Sequence, residues 1–205
     1  LAELQKRGIL ASIGHTNATF EQCDAAFRSG ARHMTHFFSC MSTITRRNAY
    51  RYAGVLEYGY YQDGVSLEII CDGIHVPSSL LHLIFKIRGV DNIALVTDSM
   101  RAAGMPDGVY PFGGQQLTLK NGEARMPDGA LAGSTATLYQ CMLNAVAFGI
   151  EKEEAIRAAT IIPAREVGCD KVLGSVAAGK LADFIVCDRD TLQKKAVYME
   201  GQRIA

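Results

Sequence analysis

No run in this sequence approaches the roughly 18–20 consecutive apolar residues that a membrane-spanning helix needs. An excess of charge of one sign is missing too. Lys+Arg and Asp+Glu each total 21, so no net field points to nucleic acid or to an anionic membrane surface. Any phosphate recognition must then come from one or two local groups. Cysteine occurs six times, at 23, 40, 71, 141, 169 and 187, but never in C-x-x-C spacing. Cys23, Cys71, Cys141 and Cys187 fall inside apolar periodic segments. That is the pattern of reduced thiols used as small core residues in a cytoplasmic enzyme, not of a disulfide framework. A basic-then-apolar leader and an initiating methionine are also lacking. The chain starts at Leu1, already inside a helix-like stretch (1–7), so we expect further sequence upstream.

What is present suffices for a core. With 205 residues and 48% apolar composition, a globular fold with a substantial interior is expected. The stretch 9–41 organises it. Two apolar runs, 9–13 and 33–38, each deliver a histidine at the polar end: His15 after Ile-Leu-Ala-Ser-Ile-Gly, and His36 in His-Met-Thr-His-Phe-Phe. Between them, 19–29 is helix-sized, with Thr19 as N-cap, Gln22 three residues on and Gly30 as stop. Strand–helix–strand with a histidine at the same end of both strands aims two imidazoles at one point, where they could share a metal. Taken alone, the two positions fit unrelated core histidines equally well.

Further along, Thr45-Arg46-Arg47-Asn48 reads as a polar loop. Its arginine pair suits either anion recognition or plain solvation. Tyrosines at 50, 52, 58, 60 and 61 suggest packing or an interface. Residues 65–71 read as a third strand ending in Asp72-Gly73-Ile74-His75. Pro77 then opens a helix over Ser78–Arg88 that Gly89 closes, with His82 in a structural place. A fourth strand spans 92–97, with Asp98 at its tip. An aspartate directly after an apolar strand is costly unless paired, metal-bound or catalytic, and the poor helix-forming sequence that follows argues against a simple N-cap. Residues 107–133 read as a β-hairpin insertion turning at Asn121-Gly122. Helices are expected over 135–148, capped by Ser134, over 152–160, and briefly from Pro163. Short strands follow at 181–187, 195–199 and 202–205, too few for a domain of their own.

Two imidazoles, a further histidine and a carboxylate at equivalent strand ends are parts of a hydrolytic metal site: ligands, an orienting group and a base. A third protein ligand is expected, and Asp72 is the only further candidate in these residues. The pieces resemble, in order and spacing, the amidohydrolase superfamily and, within it, the N-acetylglucosamine-6-phosphate deacetylase family. The resemblance runs over essentially the whole chain: Gly14-His15-Thr16-Asn17-Ala18, Thr35-His36-Phe37-Phe38, Asp72-Gly73-Ile74-His75, Leu95-Val96-Thr97-Asp98, Leu131-Ala132-Gly133-Ser134 and the closing Leu173-Gly174-Ser175 with Ala178-Gly179-Lys180-Leu181-Ala182-Asp183.

The resemblance implies an α/β fold, the C-terminal half of a (β/α)8 barrel (about strands five to eight), with the insertion at about 108–130. Residues 1–168 would be barrel and 169–205 the C-terminal strands of a small β-sandwich. It implies a divalent cation, zinc or iron, with His15 and His36 as metal ligands and a glutamate ligand in the earlier half. Asp98 becomes the catalytic acid/base. Ser39, Cys40, Arg47, Asp72, Gly73, Ile74, His75, Leu131, Ala132 and Gly133 would line a pocket for a phosphorylated amino sugar. Arg47 would reach the site of a neighbouring subunit, implying a homodimer. Ser39-Cys40 departs from the family's usual Asn-Ala, and the Arg46-Arg47-Asn48-Ala49 loop departs from its usual Arg-Glu-Pro-Gly, which bears on substrate preference. The rival readings are another metal-dependent amidohydrolase (a cyclic-amide hydrolase or a deaminase) and an inactive fragment short of one ligand.

Overall fold

The computed structural model describes residues 1–205. Chain order begins α1 (Ala2–Lys6), β1 (Ala11–Ile13), α2 (Phe20–Arg28), β2 (Ala31–Met34), β3 (Thr45–Arg47), β4 (Tyr50–Tyr52), α3 (Val55–Tyr61), β5 (Ser66–Ile70), α4 (Ser78–Arg88) and β6 (Ile93–Val96). Then come β7 (Gly108–Phe112), β8 (Gln115–Lys120), β9 (Glu123–Arg125), α5 (Leu138–Ala147), α6 (Lys152–Ala158), α7 (Ile161–Glu166), β10 (Phe184–Cys187), β11 (Lys194–Met199) and β12 (Gln202–Arg203).

The organising unit is a four-stranded parallel sheet in the order β1-β2-β5-β6. Parallel neighbours need a crossover, and each one here carries a helix: α2, then α3, then α4. Helix α2 begins as its sequence dictates. The Thr19 hydroxyl accepts from Gln22 N, while the Gln22 side chain accepts the Thr19 N–H at 2.9 Å, which satisfies two orphan donors reciprocally.

The sheet has two unlike faces. Ile13, Met34, Leu67 and Ile93 align across the four strands. With Ile69 and Leu95 they pack on the helices, against Cys23, Tyr58, Leu81, Ile84, Cys141 and Ala155. Burial of this kind is the main stabilising term, at about 25 cal/mol per Å² of apolar surface. The opposite face aligns Ser12, His33 and Ser66, with Glu68 paired to Ala94. That face is small and polar. Strands β1 and β6 are the sheet's two edges.

Several expectations need correction. The second strand stops at Met34 instead of running to Phe38, because His36, Phe38 and Cys40 have φ of 33°, 87° and 52°, a left-handed backbone that no strand continues through. The arginine pair is not in a loop. It lies on a hairpin, β3–β4, whose turn residues Asn48 and Ala49 take φ of 47° and 70°, and whose strands are wholly exposed. The insertion holds three antiparallel strands, not two, over a small core of Ala102, Leu117, Leu119, Ala124 and Ala132. Helix α5 starts later than expected, capped by Thr137. Ser134 is occupied elsewhere, its hydroxyl donating to the Thr97 carbonyl.

Strands β10, β11 and β12 form a separate antiparallel sheet, with Phe184 stacked on Tyr198 at 4.6 Å. No helix is long and apolar enough to cross a membrane, and all six cysteines are free.

Candidate functional site

Parallel strands send all their C-terminal ends to one side. Four chemistry-bearing residues sit there, each two positions past the end of its strand: His15 after β1, His36 after β2, Asp72 after β5 and Asp98 after β6. Register makes His15 level with His36, since Ile13 pairs with Met34, and Asp72 level with Asp98, since Ile70 pairs with Val96. His15, His36 and Asp98 all have positive φ, at 42°, 33° and 46°. For residues with a Cβ this costs on the order of 1–3 kcal/mol each, and such strain clusters at functional sites.

The two imidazoles are brought together. Their ring centroids lie 4.7 Å apart with planes at 58°. His15 is exposed, whereas His36 is buried and its Nδ1 has no hydrogen-bond partner. A buried ring nitrogen without a partner, beside a second imidazole, fits two of the nitrogen donors a divalent cation takes. No third His, Cys, Asp or Glu joins them to make a group of three able to hold a metal ion. Asp72 is otherwise engaged. Its Oδ2 takes the His75 ring at 2.6 Å, and its Oδ1 accepts the N–H groups of Ile74 and His75, both at 2.9 Å. Burial pushes the Asp72 carboxyl up, but these hydrogen bonds and the His75 charge outweigh it and hold the group below its ordinary value.

A cavity of about 350 Å³ opens at His15, lined also by Thr16, Asn17, Cys40 and Met41. The His15 and Cys40 loops are tied by Thr16 N–H to the Cys40 carbonyl at 3.0 Å and Ser42 N–H to the Thr16 carbonyl at 3.1 Å. A second cavity of about 300 Å³ shares Asn17 and is lined by Thr43, Arg47, Tyr52 and Gly54 among others. The Arg47 guanidinium stands 5.7 Å from the Tyr52 ring centre. Ser39 is half-buried beside Cys40.

Asp98 is exposed in this chain, so the burial cost inferred from its apolar strand does not arise. What fixes it is the clamp to the insertion. Ser134 N–H donates to the Asp98 carbonyl at 2.8 Å, and Met100 N–H donates to the Ser134 carbonyl at 2.9 Å. A Cβ on Gly133 would lie 2.8 Å from the Asp98 carbonyl oxygen and 3.7 Å from its Oδ2. Glycine there, at φ 74°, lets the two segments touch. Leu131 bridges to Arg125, and Ala132 N–H donates to the Ala124 carbonyl at 2.9 Å.

One polar cluster escaped sequence reasoning. His33 is buried, with Nδ1 2.9 Å from Ser12 Oγ and Nε2 2.9 Å from Glu166 Oε2. Glu68 Oε1 stands 3.7 Å from the same Nε2, and Glu68 Oε2 accepts the His36 N–H at 3.1 Å. Polar residues recurring on one side of otherwise apolar strands (Ser12, His33, Ser66, Glu68) were the available signal. Glu166, on α7, gives none locally.

Residues 1–204 match the amidohydrolase family, and the chain belongs to it. Within that family it is a homologue of amino-sugar-phosphate deacetylases. It is 34% identical over 203 residues to the N-acetylgalactosamine-6-phosphate deacetylase of Escherichia coli, covering 98% of this chain and 52% of that protein. It is 35% identical over 200 residues to the N-acetylglucosamine-6-phosphate deacetylase of Bacillus subtilis, covering 93% and 47%. Among solved structures, a variant of the Mycobacterium smegmatis N-acetyl-D-glucosamine-6-phosphate deacetylase in complex with N-acetyl-D-glucosamine-6-phosphate superposes with TM-score 0.89 at 36% identity, covering 98% of this chain and 53% of that one. The chain thus spans about half the length of these relatives.

Proposed function

We propose that this chain is the C-terminal half of a metal-dependent deacetylase that hydrolyses the acetamide of N-acetylglucosamine 6-phosphate to glucosamine 6-phosphate and acetate. In this reading residues 1–168 supply about strands five to eight of a (β/α)8 barrel, with the insertion at about 108–130, and 169–205 belong to a small sandwich domain. The observation that carries it is the His15–His36 pair at parallel strand ends, with the buried His36 Nδ1 left unpartnered. Free cysteines throughout agree with a cytoplasmic protein.

His15 and His36 are two of the ligands of a divalent cation, zinc or iron, and the third lies outside these residues. When bound, such a cation polarises a carbonyl and lowers the pKa of water. The chain's own residues do the rest. Asp98 takes the proton of the attacking water and passes it to the departing amine, which leaves poorly unless protonated. His75 gives Nδ1 to Asp72, which leaves Nε2 to a sugar hydroxyl. Gly73, Ile74, Ser39 and Cys40, with Leu131, Ala132 and Gly133, wall the sugar. Arg47 anchors the phosphate, serving a neighbouring subunit across a homodimer interface that includes the exposed β3–β4 hairpin.

A second reading, the galactosamine epimer as substrate, is favoured by the Escherichia coli relative at nearly the same identity. Acetate release from both 6-phosphates by the complete protein decides between the two. Hydrolysis of neither, with metal supplied, would overturn the deacetylase reading.

A further inference from the structure

His36 sits in a conformation that its own covalent structure disfavours. A φ of 33° on a residue with a Cβ persists only where the surroundings over-determine it. The surroundings that do so come largely from one residue. Glu68, on the neighbouring strand β5, brackets His36: its side-chain Oε2 accepts the His36 N–H at 3.1 Å and its main-chain carbonyl accepts the next one, of Phe37, at 2.8 Å. The second bond lies past the end of β2, outside the regular ladder. The first replaces the ladder with a carboxylate at the position where the chain turns away.

The Glu68 side chain lies beside a relay on the sheet's polar face. Thr35 Oγ1 lies 2.5 Å from Ser12 Oγ, which lies 2.9 Å from His33 Nδ1, and His33 Nε2 lies 2.9 Å from Glu166 Oε2. A carboxylate oxygen can only accept, so Nε2 carries the hydrogen it gives to Glu166. Glu68 Oε1, 3.7 Å from that nitrogen, is beyond hydrogen-bond length but within reach of the same edge of the ring. With His33 committed to Ser12 and Glu166, the Glu68 carboxylate is left to the His36 backbone. Bonds from an N–H to a carboxylate are roughly twice as strong as neutral ones.

We propose that Glu68 is a positioning residue for His36. Held against the Ser12–His33–Glu166 relay, its carboxylate fixes the left-handed backbone at residue 36 and so keeps the His36 ring against that of His15. The inference rests on the reading of His36 as a metal ligand. It adds that the ligand is oriented through its main chain, by a residue that touches neither metal nor substrate.

Two substitutions in the complete protein test it, with cobalt(II) as probe and its visible absorption as readout. E68Q keeps an acceptor oxygen for the His36 N–H, and its cobalt affinity stays within about threefold of the unsubstituted protein. E68M has similar length and no acceptor; its affinity falls about 10- to 100-fold, the usual cost of losing an outer-shell partner. Equal affinity for E68M and E68Q overturns the proposal. Should E68M fail to fold, amide hydrogen exchange on the unsubstituted protein takes its place: His36 N–H is expected to be protected as well as Phe37 N–H, and free exchange at His36 alone overturns the proposal. Failure of the unsubstituted protein to bind cobalt strikes the metal-site reading instead, a distinct result.

Discussion

Asp72 holds His75 with both of its oxygens, one on the ring at 2.6 Å and one on the main-chain N–H at 2.9 Å. The pair closes a four-residue turn at the end of β5 and leaves the imidazole 9% and the carboxylate 3% exposed. Such a carboxylate is spent within its own turn, since Oδ1 also accepts the Ile74 N–H at 2.9 Å, and in the proposed reading Asp72 acts by fixing His75. The single free ring nitrogen, Nε2, is then presented in one orientation.

The first prediction follows from that charge. The folded-state value for Asp72 lies below its ordinary 3.8. The stabilisation it brings is therefore complete above the unfolded value and is lost as pH falls through the lower folded one. Compared with Asp72→Asn by urea unfolding, the native protein should be more stable by about 1–3 kcal/mol at neutral pH. The gap should begin to narrow below about pH 4 and close only once the pH has fallen through the lower folded value. A difference that persists unchanged into strong acid would mean that the charge on Asp72 contributes nothing.

Thiol reactivity gives a second test. Burial pushes the thiols of Cys23 and Cys141 up to about 11, and that of Cys71 up to about 12, so hardly any thiolate exists at pH 8. Cys40 is exposed in the His15 cavity. An aromatic disulfide reagent should modify Cys40 within the first phase and leave Cys23, Cys71 and Cys141 untouched until denaturant is added. Early labelling of Cys71, followed by mass spectrometry of peptides, would contradict the packing around β5.

The success of the sequence reading was uneven, for physical reasons. Helix α4 spans Ser78–Arg88 as its apolar spacing predicts, and the capping box at Thr19 forms because both partners lie within one turn. Local chemistry of this sort is legible. So is the convergence of His15 and His36, because two parallel strands force it. What failed depends on partners far along the chain. Ser134 looks like a helix cap, yet its hydroxyl donates to the Thr97 carbonyl just past β6, far back along the chain. The 33–38 run reads as one strand because periodicity does not register backbone sign, and only the left-handed φ at His36 ends it. His33 and Glu166, separated by 133 positions, meet through tertiary packing that no window contains.

For Asp98 the proposed role is transfer of a proton, which an amide cannot perform. In the complete protein Asp98→Asn should lower kcat by about 10²–10⁴-fold, the usual worth of a general acid/base. Its metal content, read by elemental analysis, should stay at the unsubstituted level. The Gly133 contact with the Asp98 backbone is unaltered by this change, so folding should be preserved. Substantial turnover by Asp98→Asn would remove the residue from the mechanism.

Arg47 gives the last prediction, and it concerns which chain supplies the anion site. The guanidinium lies on an exposed hairpin beside Tyr52, in a cavity that meets the His15 cavity at Asn17. A hydrogen-bonded charge pair contributes about 1.5–3 kcal/mol, so Arg47→Ala should raise KM for the 6-phosphate by roughly 10- to 100-fold. KM for the unphosphorylated sugar should not move. Equal KM changes for the two sugars would sink the phosphate role. Mixing Arg47→Ala protein with Asp98→Asn protein then reveals the geometry. If Arg47 reaches across a dimer, a mixed pair contains one site with an intact Asp98 and an intact arginine from its neighbour, and low-KM activity returns. If each chain uses its own Arg47, every site in the mixture lacks one group or the other, and mixing restores nothing.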